Sequence, residues 1–200
     1  MYSKYEEMKT IQSVIANYVQ SSKNGYEQAM RDLQQKASQK APNIEEGKGQ
    51  VKDFASSLSL MAGYQEDYSR AKGVLLELNK AVMCYEMAYP QGLSEDIVEQ
   101  RKQEGNRKFF QLRTKNADYK NIMGSIAYSL FVQHDENLEG LVTLGVDAKI
   151  EELEEKFKTG RISKEQLILY TNACNLLSQN PDFIEYASSF QETQRTSHHK

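Results

Sequence analysis

The sequence predicts an all-α protein in which six to eight helices pack around one central buried helix. Three observations favour this class. Apolar residues recur every three or four positions along most of the chain, capping residues precede several of these stretches, and one stretch is apolar on nearly every side.

That apolar stretch is residues 118–134, the predicted central helix. Its main apolar face is made of Tyr119, Ile122, Met123, Ile126, Ala127, Leu130 and Phe131. Tyr128 and Val132 add apolar surface on the other side, so the last two turns have almost no polar face. We therefore expect neighbouring helices to cover this segment on all sides.

An amphipathic helix is predicted at the N-terminus, from about residue 3 to residue 19. Its apolar face is the candidate interaction face of the protein and consists of Tyr5, Met8, Ile11, Ile15 and Tyr18. The sequence SSKNG at 21–25 is expected to interrupt the helix, and a second, thinner helix should follow. Residues 38–50 contain Pro42, Gly47 and Gly49 and are predicted to form a loop.

A near-heptad apolar stripe extends over residues 51–89. As one helix this segment would be about 58 Å long, which exceeds what a compact domain of this size can cover. Gly63 and Gly73 would each cost about 1 kcal/mol relative to alanine inside a helix. A break between two antiparallel helices is therefore expected near one of them, and Pro90 should end the segment.

Local start signals define the remaining helices. They are Ser94 as an N-cap, Asp118 and Asp147 as candidate caps, the capping box of Ser163 and Gln166, and Asn180-Pro181. We divide the chain into an N-terminal helical arm or outer helices at 1–40, a helical core domain at 51–190 and a mobile tail at 191–200.

Composition excludes several classes of protein. Hydrophobic residues make up 39% and charged residues 26% of the chain, as in ordinary globular proteins, and the formal net charge is −3. Nothing approaches the roughly 18 apolar residues of a membrane span, and the N-terminus lacks the apolar core of a signal peptide. A cytoplasmic protein is expected, with signal-less secretion left open.

A basic segment with two interleaved phenylalanines lies at residues 101–120. Its candidate patch consists of Arg101, Lys102, Arg107, Lys108, Arg113 and Lys115. Cations for phosphates and aromatic rings for bases are what single-stranded nucleic-acid binding requires. The alternative is a solvated helix whose phenylalanines face the core, and the spread of the cations over several helix faces favours it.

The remaining candidate site residues belong to less specific sequence patterns. His134 lies at a predicted helix end, where it could stand near the pocket of a globin-like or other small-ligand-binding helical domain. Cys84 and Cys174 are expected to be unpaired core thiols. The sequence contains no cofactor motif and no metal-ligand spacing, so neither a cofactor nor a metal is expected.

These patterns favour a non-enzymatic helical module for protein–protein interaction, such as an adaptor, scaffold subunit or effector-like protein. A protein partner or a homo-oligomer is the expected assembly. Nucleic-acid binding through residues 101–120 and a ligand pocket near His134 are the two alternatives, the second of which leaves an enzyme open.

Overall fold

The computed structural model of the chain describes residues 2–88, 91–133, 136–185 and 188–189. Within these ranges the protein consists of helices and turns, which confirms the all-α prediction. The helices are α1 (Lys4–Ala37), α2 (Ile44–Glu86), α3 (Glu95–Lys115), α4 (Ala117–Val132), α5 (Leu141–Leu144), α6 (Val146–Lys158) and α7 (Lys164–Gln179), with a further helical segment at 181–185.

Most helix starts follow from local side-chain chemistry. The Ser94 hydroxyl accepts a hydrogen bond from the amide of Ile97, and Ser163 forms the predicted capping box with Gln166. The cap of α4 is Asn116 rather than Asp118, because the helix begins two residues earlier than its apolar pattern. No side chain caps α6, since Gly145 occupies its N-cap position and Asp147 lies in the first turn.

The expected interruption at 21–25 is wrong, because α1 continues unbroken through Gly25. At that glycine the backbone of α1 lies against the ring of Tyr64 in α2, and a Cβ built there would be 2.5 Å from Cε1 of the ring. Glycine is therefore present because the two helices approach closely, and not because the chain turns.

The expected break in the long stripe is also wrong. Helix α2 runs for 43 residues through both Gly63 and Gly73, a length of about 65 Å. Its start lies inside the predicted loop, where Asn43 accepts a hydrogen bond from the amide of Glu46. Packing along α1 stabilises α2 along its length and offsets the two glycines.

Helices α1 and α2 form a long antiparallel hairpin. Gln12 donates to Asn79 at 2.7 Å near the body of the protein, and Lys36 donates to Ser57 at 2.8 Å near the far end. The buried residues of α2 all lie from Ala71 onward. The far part of the hairpin, residues 22–37 and 44–66, therefore projects from the body, and we call it the hairpin arm.

The body contains two apolar cores. One is formed by the first half of α1, the second half of α2, α3 and the start of α4, and it includes Ile11, Leu78 and Phe109. The other joins the end of α4 to α6 and α7 and includes Leu153 and Cys174. Helix α4 contributes to both cores and so connects them.

Helix α4 lies between the two cores, but neighbouring helices cover only one of its sides. Tyr119, Ile122, Met123 and Ala127 are buried, as the pattern predicted. The stronger expectation, that solvent would reach no side, does not hold, because Val132 is 39% exposed and Ser125 and Ser129 face solvent. A helix that joins two cores needs only one continuous buried face.

The division into an arm at 1–40, a core at 51–190 and a tail at 191–200 stays a prediction. The first half of α1 contributes fully buried side chains to the body, and the projecting part comes from both α1 and α2. The predicted tail lies outside the described residues.

Candidate functional site

The five residues selected as an interaction face lie between α1 and the rest of the body. Met8, Ile11 and Ile15 are fully buried, and Tyr5 and Tyr18 pack against the same core. The ring of Tyr5 stacks on Tyr85 with 5.9 Å between ring centres. This face is therefore filled by the chain itself, and a partner could reach it only by displacing α2.

The six residues of the predicted basic patch lie on α3, and intramolecular partners engage four of them. These contacts are Arg101 with the main-chain oxygen of Met87, Arg107 and Lys108 with Glu104, and Arg113 with Glu7. Lys102 is half-buried and Lys115 is exposed. A patch whose cations already bond to carboxylates and carbonyls presents less positive charge to a nucleic acid than the sequence suggests.

The two phenylalanines of the basic segment have different environments. Phe109 is fully buried, with the guanidinium of Arg113 at 4.6 Å from its ring centre. Phe110 is exposed. A continuous series of base-stacking rings is therefore not present on α3. Of the alternative, a solvated helix whose phenylalanines both face the core, Phe109 fits and Phe110 does not.

An ionic cluster around the buried carboxylate of Glu7 joins the start of α1 to the end of α3. The carboxylate of Glu7 is almost fully buried, at 3.2 Å from the ammonium of Lys4 and 3.6 Å from the guanidinium of Arg113. Burial raises the pKa of the neighbouring Tyr119 phenol, with a smaller contribution from Glu7. Lys4 of the same helix and Arg113 of α3 both contact this carboxylate, so the cluster links α1 to α3.

The proposed pocket residue His134 lies outside the described residues. Among the described residues, no group of three or more His, Cys, Asp or Glu side chains is placed to hold a metal ion. The expected absence of a cofactor and of a metal stays a prediction.

Both cysteines are free thiols in different environments. Cys84 is half-buried, whereas Cys174 is fully buried in the second core. Burial raises the pKa of the Cys174 thiol to about 11.

A thiol reagent such as DTNB should therefore modify Cys84 but not Cys174 in the folded protein at about pH 8, because the thiolate is the reactive form. Absorbance of the released thionitrobenzoate measures this, and Cys174 should react only as fast as the chain unfolds. In Cys84→Ser the rapid reaction should disappear. Rapid modification of both thiols in the native wild type would contradict the placement of Cys174.

The hairpin arm has two faces of opposite character. One side bears a shallow polar cleft between the helices, lined by Asp32, Gln35, Lys36, Gln39, Gln50 and Asp53. The other side carries apolar residues of α2, namely Val51, Phe54, Ala55, Leu58, Met61 and Ala62. We call these six residues the arm stripe.

The arm stripe follows from helix geometry. Its residues recur at intervals of three, four and seven, which places them within about 60° of Leu58 around the helix axis. Val51 is 69% exposed, Leu58 46% and Phe54 39%. Tyr26 and Met30 of α1 are half-buried and lie on the same side of the arm, opposite the polar cleft. The arm stripe of α2 and these two residues of α1 therefore form one broader apolar face of the hairpin arm.

Sequence reasoning detected the apolar periodicity of the stripe but not its exposure. A heptad stripe has the same sequence pattern whether it is buried in the chain or left open, because periodicity reports a face and not its neighbour. The two halves of α2 differ in what covers them. From Ala71 onward the body of the protein packs on α2, whereas before Ala71 only α1 packs on it.

Fold and surface together define an all-α protein with a projecting two-helix arm, apolar on one side. Comparison with protein families, with curated proteins and with solved structures found no match. No helix among the described residues combines the length and apolar character required to cross a bilayer. The arm stripe is accordingly the candidate functional site on physical grounds alone.

Proposed function

We propose that this protein is a cytoplasmic, non-enzymatic module for protein–protein interaction that binds its partner through the apolar face of the hairpin arm. The observation that carries the proposal is the exposure of Val51, Phe54 and Leu58 along one face of α2. Contiguous apolar surface of this kind on a soluble protein is typical of an interaction site.

The chemistry of the face fits a helical partner. Residues 54–65 contain no charged side chain, so a partner can cover this segment without burying an ion. A helix packs on such an apolar face with residues spaced by three, four and seven positions, which is also the spacing of the arm stripe. Two free thiols agree with a reducing compartment such as the cytoplasm.

The small interface between α1 and α2 in the hairpin arm is a second argument for a partner. The buried side chains of α1 in the arm are Ser22, Ala29 and Leu33, of which two are small. A partner on the apolar face would add buried surface to these two helices, so it would stabilise the arm further as well as bind it.

Affinity capture with the full chain tests the proposal. We expect Leu58→Lys to abolish recovery of a partner from extracts of the cells that produce the protein, because a buried lysine ammonium would be unpaired. The matched control is Leu60→Lys, which changes the same residue type two positions away on the opposite side of α2, where Leu60 is 56% exposed. Equal recovery by wild type and Leu58→Lys would refute the proposal, as would a wild type that neither recovers a partner nor associates with itself.

Single-stranded nucleic-acid binding through residues 101–120 is less supported. Four of its six cations have intramolecular partners, and Phe109 is buried. If residues 101–120 formed a nucleic-acid site, the protein would bind single-stranded RNA or DNA with an affinity that falls as salt rises. That binding would be lost when Lys102 and Lys115 are changed to glutamate.

A further inference from the structure

We infer that the occupant of the apolar face is a second copy of this chain, with two hairpin arms pairing antiparallel about a two-fold axis near Leu58. The pairing forms a four-helix bundle from α1 and α2 of each copy. This inference rests on the proposed function and names its partner.

The charges beside the arm stripe support self-pairing. Lys48 and Lys52 precede Leu58 by ten and six residues, and Glu66 follows it by eight. At 100° per residue, Lys48 and Glu66 both lie about 80° around the helix axis from Leu58, and Lys52 about 120°. All three therefore line the same flank of the stripe.

A two-fold axis brings this flank of one copy against the same flank of the other. In an antiparallel pair, residues at equal distances on opposite sides of the axis become neighbours. Glu66 of one copy then lies between Lys48 and Lys52 of the other, and the symmetric contact repeats at the far end. The stripe thus has two lysines at one end of this flank and Glu66, beside Arg70, at the other end, and self-pairing brings Glu66 to the two lysines.

The two lysines are free to form such contacts, whereas Glu66 already has a partner on its own helix. Lys48 and Lys52 are exposed, and within the described residues neither forms an ion pair. Glu66 is exposed and pairs with Arg70 of its own helix one turn away, a surface contact that contributes little stability and can be exchanged for a lysine of the second copy.

The position of α1 determines the shape of the complex. Because α1 lies to one side of the arm stripe, a partner helix on the stripe becomes the second neighbour of α2, as in a four-helix bundle. Tyr26 and Met30 would then face the second copy and enlarge the contact, while the polar cleft stays in solvent. Both helices are needed, since stable interfaces bury about 1,200 Å² or more.

Sedimentation equilibrium of the full chain, from micromolar to millimolar concentration, tests the inference. We expect wild type and Leu60→Lys to form dimers and Leu58→Lys to raise the dissociation constant about a hundredfold or more. Far-UV circular dichroism should show that each variant keeps its helices. A wild type that stays monomeric at millimolar concentration overturns the inference.

Charge reversal tests the antiparallel register. Glu66→Lys alone, or Lys48→Glu with Lys52→Glu, should weaken the dimer roughly threefold to tenfold at low salt. The three changes together should restore it, because every opposed pair again has opposite signs. The triple variant should pair with wild type roughly threefold to tenfold more weakly than with itself, since like charges would then meet. Glu77→Lys, which disturbs an exposed pair with Lys80 elsewhere on α2, is the matched control.

The outcomes separate this inference from the proposed function. A monomeric wild type that captures a different protein in a Leu58-dependent manner refutes the second copy and retains the interaction module. Dimers that resist Leu58→Lys, or whose charge variants all behave alike, refute the pairing described above.

Discussion

Replacing Lys149 by alanine is expected to lower the free energy of unfolding by about 3 kcal/mol, measured by urea denaturation at neutral pH. The side chain is 1% exposed, although lysine is normally a surface residue. Its ammonium donates to the main-chain oxygen of Glu139 and lies 3.2 Å from the carboxylate of Glu152. Alanine would leave a cavity where the lysine stem lies and would remove the donor to the Glu139 carbonyl.

Two further variants assign that loss to its physical cause. Lys149→Met keeps the volume of the stem without the charge and should lose only about 1 kcal/mol, because an ion pair with a partly exposed carboxylate such as that of Glu152 contributes little. Lys158→Ala removes an exposed lysine from the same helix and should change stability by less than about 0.5 kcal/mol. Equal losses for alanine and methionine at position 149 would contradict the cavity account.

Replacing Gly105 by alanine is expected to destabilise the protein by about 2 kcal/mol, although alanine is the better helix former. A Cβ at Gly105 would lie 2.7 Å from Cδ2 of Tyr85 and 3.0 Å from the main-chain oxygen of Ala81. The tyrosine has little room to yield, because it is buried, stacks on Tyr5 and donates a hydrogen bond to Asn106. The clash should therefore outweigh the gain in helix propensity.

The matched control is Gly63→Ala, in the middle of α2. No atom lies within 4 Å of a Cβ built there, apart from the helix itself. The same substitution should then stabilise the protein by about 0.5–1 kcal/mol, the difference in helix propensity alone. Thermal unfolding of the two variants should thus shift in opposite directions, and a stabilised Gly105→Ala would show that α2 and α3 pack less closely.

Sequence alone determined the features that depend on near neighbours in the chain. Apolar spacing was sufficient to predict an all-α protein and the buried face of α4, and the caps at Ser94 and Ser163 were predicted from their own residues. These predictions succeed because a helix face and an N-cap are each defined within about one or two turns.

Only the tertiary structure decided where helices continue and which apolar faces stay open. Helix breaks were predicted at Gly25 and near Gly63 because helix propensity takes no account of a partner helix. In the structure α1 and α2 stabilise each other along the hairpin, and both continue through these glycines. The face from Tyr5 to Tyr18 and the arm stripe have the same kind of periodicity, yet the first is buried and the second is exposed. Periodicity shows that a helix has an apolar face that is stable when covered. Only the tertiary structure determines whether another part of the same chain covers that face.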